Sequence, residues 1–132
     1  MKIIDKLAWL HLRERRLLCC RSHGRALFYL PGGKREAGES DTAALLRELH
    51  EELTVTLKPT ALHFAVVIEA PADGQAAGTL VRLTCYFGDY TGALQPSREI
   101  AEIAWLTAAD QERASVAAYR VIEWLQAQGL LD

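Results

Sequence analysis

Apolar positions along the chain fall in short clusters separated by polar punctuation, and one stretch repeats at helical spacing. Residues 7–13 and 16–20 are apolar-rich and parted by Glu14-Arg15, which predicts two strands joined in a hairpin. A polar loop over 21–25 leads into a short third strand over 26–30, closed by the turn signal Pro31-Gly32-Gly33. A helix then starts near Ser40 or Asp41, either of which can cap it by accepting a backbone N–H, with Leu45, Leu46, Leu49 and Leu53 as its buried stripe. Strand-like runs follow over 62–68, 79–87 and 103–106, with loops over 71–78 and 90–97. Thr107 is placed to cap a further helical region. Residues 114–128 then close the chain as an amphipathic helix carrying Val121, Ile122, Trp124 and Leu125. No repeat, linker or low-complexity tract breaks the order. Strands, helix, strands, helix predicts one domain over 1–132, of α/β or α+β class, with a mixed sheet between helices.

Composition narrows the partners. Of 132 residues, 50% are hydrophobic and 24% charged, enough apolar mass for a real core. The net charge of −2, without a basic run, argues against duplex nucleic acid as a partner. Any anionic substrate must be drawn in by local charge. Three cysteines, Cys19, Cys20 and Cys85, have neither disulfide nor zinc-finger spacing and are read as reduced thiols packed in strands. Lys2, Asp5 and Lys6 interrupt the apolar residues at the start, so no leader pattern forms, and no run reaches membrane-spanning length. The expected compartment is the cytoplasm, with no membrane partner.

The acidic residues change the picture most. Glu48, Glu51 and Glu52 stand three and four apart, so on a helix they share a face about 100° wide. From Glu36 to Val55 there are six acidic residues and one fixed cation, Arg47. Carboxylates crowded this closely repel, and one guanidinium cannot neutralise them. A hard divalent cation, magnesium or manganese, resolves the repulsion through oxygen ligands. The histidines, His11, His23, His50 and His63, have no ligand spacing and are read as surface or packing residues.

The segment 33–55 resembles the Nudix box, the signature of hydrolases acting on nucleoside diphosphates linked to another moiety. Gly33, Glu39, Arg47, Glu48, Leu49, Glu51, Glu52 and Val55 carry the resemblance; Thr54 departs, standing where the family has glycine. That glycine closes the helix with a left-handed backbone, which a β-branched threonine adopts poorly. The resemblance implies an α/β/α sandwich with the box as loop, helix and loop. It places the Gly32 carbonyl, Glu48 and Glu52 on one divalent ion, with Glu51 holding a second ion or orienting water. Gly33 and Glu39 support the site. Arg47 joins the catalytic set by pairing with Glu39 or Glu51 and fixing a rotamer. An additional glutamate from a later loop is expected, Glu99 ahead of Glu102.

The implied reaction is attack of water on phosphorus, with cations neutralising the phosphate oxygens and Glu51, Glu52 or Glu99 taking the proton. The favoured substrate is a (deoxy)nucleoside triphosphate, giving monophosphate and pyrophosphate, with ADP-ribose or a nucleotide-sugar as the in-family alternative. Pro71 is read as a loop proline rather than as the mark of ADP-ribose-cleaving relatives. Tyr29 and Tyr86 are candidates to stack a base, and Arg82 to reach a phosphate. Rival readings are a sensing domain of the same fold that does not cut, and a metal- or partner-binding helix on an unrelated fold. A homodimer is favoured on family grounds alone.

Overall fold

A computed structural model describes residues 2–132. In chain order its elements are β1 (Ile3–Leu10), β2 (Leu12–Arg13), β3 (Arg16–Ser22), β4 (Gly32–Gly33), α1 (Asp41–Leu53), β5 (Thr56–Leu57), β6 (His63–Pro71), β7 (Leu80–Phe87), β8 (Tyr90–Thr91), β9 (Ile100–Leu106) and α2 (Val116–Ala127). Two 3-10 turns, at Pro59–Ala61 and Ala108–Arg113, complete it. The larger sheet runs β4-β1-β7-β6, with β1 parallel to β7 and the other neighbours antiparallel. A second sheet, β2-β3-β9, is antiparallel, and β5 and β8 form a short pair.

Alternation along the strands divides the core in two. Ala8 and Leu10 of β1, Leu17 and Cys19 of β3, and Leu83 and Cys85 of β7 pack with Ala118, Val121, Ile122 and Leu125 of α2. Leu7 and Trp9 of β1 and Leu18 of β3 point the other way and pack with Leu45, Leu49 and Leu53 of α1. The strands thus lie between two helices, the expected α/β/α layering. All three cysteines are free and buried.

Two local expectations give way. The first apolar run is not one strand of a hairpin: β1 extends back to Ile3 and pairs along its whole length with β7, far away in sequence. The chain changes sheets at His11, and the hairpin that forms is the short β2–β3 pair around Glu14-Arg15, both at positive φ (53° and 61°). Residues 26–30 make only isolated bridges, Tyr29 to Cys20 and Phe28 to Ala114, and β4 is the pairing strand instead. Elsewhere the expected elements form with shifted ends. Ser40 caps α1, accepting from the Ala43 N–H at 3.1 Å. Thr107 caps a 3-10 turn with Asp110 returning the bond, and α2 begins after its own cap, Ser115.

The departure at Thr54 does not stop the helix ending as glycine would end it. Thr54 takes the left-handed conformation (φ 59°, ψ 25°), and its N–H bonds the His50 carbonyl. Its hydroxyl donates to the Ala93 carbonyl at 3.0 Å. That bond offsets part of the steric penalty, about 1–2 kcal/mol for a residue with a Cβ.

Candidate functional site

Two glycines and one helix build the acidic centre. Trp9 N–H donates to the Pro31 carbonyl, which clamps the turn against β1. Gly32 follows at φ 141°, where a Cβ would run into the Leu7 carbonyl. A Cβ on Gly33 would come within 2.6 Å of Glu48 Cδ, so Glu48 lies where only glycine leaves room. The Gly32 N–H donates to Glu52 Oε1 at 3.0 Å, and Glu52 is only 8% exposed. Burial pushes its carboxyl up to about 8, with the charges of Glu48 and Glu99 adding to the rise. Glu48 is also raised, burial outweighing its contact with Arg47.

Arg47 organises the other carboxylates. It holds Glu39 with two bonds of 2.8 Å and Glu48 with one of 2.9 Å, and also donates to the Lys34 carbonyl at 3.0 Å. Glu36 and Glu51 lie 3.6 and 3.7 Å from its Nη1. Arg47 and the Glu36 backbone N–H together lower the Glu39 carboxyl to about 2. Glu51 therefore sits at the edge of this cluster and Glu39 at its anchor.

Of the two later glutamates, Glu99 is the one whose charge acts on Glu48 and Glu52. Its loop is pinned to the end of α1: Gln95 N–H donates to the Leu53 carbonyl at 3.0 Å, and Ser97 N–H to the Glu52 carbonyl at 2.9 Å. Glu102 faces Arg21 across β3 and β9 and pairs with it at 2.7 Å.

Next to Glu52 a cleft of about 230 Å³ opens on the α2 side of the sheet. Lys6, Tyr29, Leu30, Val81, Leu83 and Ser115 are among its walls, with Arg25, Pro71, Asp73 and Gln75 at the rim. The Tyr29 hydroxyl donates to Asp73 and ties the 72–78 loop across the opening. Tyr86 and Arg82 do not line this cleft. The Tyr86 hydroxyl donates to Asp41 at 2.6 Å, and Arg82 pairs with Glu69 at 2.7 Å, its Nη1 also 3.8 Å from Asp5. Lys6, Arg25, Asp73 and Gln75 escaped the sequence reading. For Lys6 a signal existed: Ile4, Lys6 and Ala8 alternate onto one face of β1, so a charge there had to meet either a cavity or the core.

The donor set suits a hard divalent cation, being carboxylate and carbonyl oxygen throughout. Glu52 strengthens the fit, a buried carboxylate with one backbone N–H for its charge. Among the described residues no three His, Cys, Asp or Glu side chains converge as a ready-made cage. Arg47 is the physical reason, since it draws Glu39 and Glu48 to itself.

Comparisons with known proteins follow the same line. The NUDIX domain model matches residues 7–125. "Putative 8-oxo-dGTP diphosphatase 2" of Mycobacterium tuberculosis is 36% identical over 81 residues, which span 61% of this chain and 54% of that protein. The chain therefore matches about half the length of that curated relative. The solution structure of the E. coli ORF135 protein superposes with a TM-score of 0.73 at 25% identity, covering 100% of this chain and 96% of that one. A NUDIX hydrolase from Nitrosomonas europaea gives 0.76 at 18% identity, over 98% and 93% of the two chains. The MutT protein of Methanosarcina mazei Go1 gives 0.75 at 21%, over 97% and 96%. These last two likenesses concern the fold.

Proposed function

The chain belongs to the NUDIX family, and from that premise we propose that residues 1–132 form a single hydrolase domain cleaving a diphosphate linkage in a nucleotide. The favoured substrate is a (deoxy)nucleoside triphosphate, released as monophosphate and pyrophosphate. One observation carries the reading: a buried, under-compensated carboxylate, Glu52, stands beside Glu48 where the glycine turn meets the cleft. The name of the mycobacterial relative supports a nucleoside triphosphate over a nucleotide-sugar.

Glu48, Glu52 and the Gly32 carbonyl would hold a divalent ion, magnesium or manganese, with Glu51 and Glu99 completing the set. When bound, such an ion neutralises phosphate oxygens and makes water easier to deprotonate. Arg47 keeps Glu39 and Glu48 in place before binding, its one bond to Glu48 engaging Oε1 and leaving Oε2 for an ion. Glu51, Glu52 or Glu99 takes the proton of the attacking water as the phosphorus–oxygen bond to the leaving pyrophosphate breaks. The cleft holds the nucleoside, with Tyr29 against the base, and keeps bulk water from that side.

The test is incubation with magnesium and a panel of nucleoside triphosphates, ADP-ribose and nucleotide-sugars, following monophosphate and pyrophosphate release. Glu52→Gln should lower turnover by at least a thousandfold, about 4 kcal/mol of transition-state stabilisation. Binding without turnover by the wild-type protein would identify a sensor and refute hydrolysis.

A further inference from the structure

Lys6 occupies an unusual position for a lysine. It projects from β1 into the cleft on the α2 side, is half-buried, and makes no hydrogen bond or ion pair among the described residues. Arg25, at the rim of the same cleft, also lacks a side-chain hydrogen bond or ion pair among the described residues; a Cβ at Gly74 would meet its Nη1 at 3.2 Å. Arg13, Arg16, Arg98 and Arg120 also have no ion pair among the described residues, so what sets Lys6 and Arg25 apart is that both line one cleft.

The charges around Lys6 sharpen the point. Burial weighs most against its charge, Lys34 and Arg25 act on it as like charges, and Glu52 and Glu48 oppose them. Those two glutamates are the ones assigned above to a divalent ion. Once a dication is shared among them, their pull on Lys6 is spent. Lys6 then faces the like charges of Arg25 and Lys34, and Asp73, tied to the Tyr29 hydroxyl at the rim, is the remaining carboxylate that lines the cleft. A half-buried ammonium without a counter-ion is costly, so the complex is complete only when a ligand brings negative charge to Lys6.

Resting on the hydrolase reading for the placement of the phosphates, we propose that Lys6 and Arg25 form a phosphate-binding pair for the phosphoryl group that stays on the nucleoside. The geometry selects that group. Tyr29, Leu30, Val81 and Leu83 offer walls for the base, Glu52 lies at the β4 turn, and β1, which carries Lys6, runs between β4 and β7. A phosphate joining these two ends passes the Lys6 ammonium, while Arg25 meets it from the rim. The pair therefore sets affinity for the nucleoside monophosphate half of the substrate once metal engages Glu48 and Glu52.

The experiment is calorimetry in magnesium, using the four nucleoside monophosphates and the corresponding nucleosides as probes. At least one monophosphate should bind wild-type protein tenfold or more tightly than its nucleoside. Lys6→Met should erase that advantage, leaving nucleoside affinity unchanged, and Lys6→Arg should restore most of it. Arg25→Met should lower the same difference, and serves as the second readout if Lys6→Met does not fold. With metal present, Lys6→Met should raise KM for a turned-over nucleotide by more than it lowers kcat. Equal affinity of wild-type and both Met variants for every monophosphate, or a wild type that never distinguishes monophosphate from nucleoside, overturns the pair. A wild-type protein that hydrolyses nothing would instead refute the activity proposed above and leave this binding measurement standing.

Discussion

His11 sits at the single position where the chain leaves β1 for β2, and its ring is sealed in by aromatics. It stacks on Trp9 (centroids 4.9 Å, planes 9° apart) and meets Tyr90 and Trp105 edge-on at 5.0 and 5.7 Å. Its Nε2 is buried and has no hydrogen-bond partner among the described residues. Burial, helped by the nearby Arg13 charge, lowers its pKa below 6.5. The sign follows from linkage: below 6.5 the unfolded chain binds a proton that the folded chain resists. The contribution of His11 to stability is therefore complete above that pH and is lost as pH falls through and below it. His11→Phe, which keeps the stack and removes the titration, should flatten this part of the stability profile, read as urea midpoints between pH 7 and 5. An unchanged profile would show that another group is responsible.

At the scale of elements, α1 is the segment that local pattern describes best. Ser40, the leucine stripe and the glutamate face all follow from spacing within some fifteen residues, and the helix forms over Asp41–Leu53. Its C-cap, Thr54, is the position that local pattern describes worst. Thr54 adopts the left-handed turn because the 92–97 segment, invisible to local reasoning, supplies the Ala93 carbonyl for its hydroxyl. Thr54→Gly relieves about 1–2 kcal/mol of strain. It also gives up a hydrogen bond of about 1 kcal/mol and makes the unfolded chain more flexible by roughly another 0.5–1. Its effect in chemical denaturation should stay within about 1 kcal/mol. Thr54→Val keeps the strain and loses the bond, so it should be the more damaging of the two. The strands were harder to read for the same reason as Thr54. Nothing near β1 announces β7 as its parallel partner, and the polar Asp5 and Lys6 conceal a strand that starts at Ile3.

Across the whole molecule, the acidic centre joins parts from both sides of the fold: α1 supplies Glu48 and Glu52, β4 the glycine turn, and the loop before β9 supplies Glu99. The glutamates and glycines were recognisable because they stand at fixed offsets on one stretch of chain. The cleft was not, since Lys6, Arg25, Asp73 and Ser115 come together only through tertiary packing. Because the centre spans these elements, an ion bound there should stabilise the entire fold. At a magnesium concentration a hundred times the dissociation constant the gain is about 2.7 kcal/mol. Thermal melts should show Tm rising with magnesium and returning with chelator. Glu52→Gln should melt at or above the metal-free wild type, because an amide is easier to bury than a carboxylate, and it should respond far less to magnesium. A Tm indifferent to magnesium in the wild type would count against a divalent site.

The Gln95 and Ser97 contacts that hold the Glu99 loop to α1 are made by main-chain atoms at both ends. Side chains along that stretch are accordingly free to drift under mutation while the glutamate keeps its station. Libraries randomised there, sparing Glu99, should yield many folded and active members, a tolerance that makes this loop the natural starting point for redirecting the protein toward new substrates.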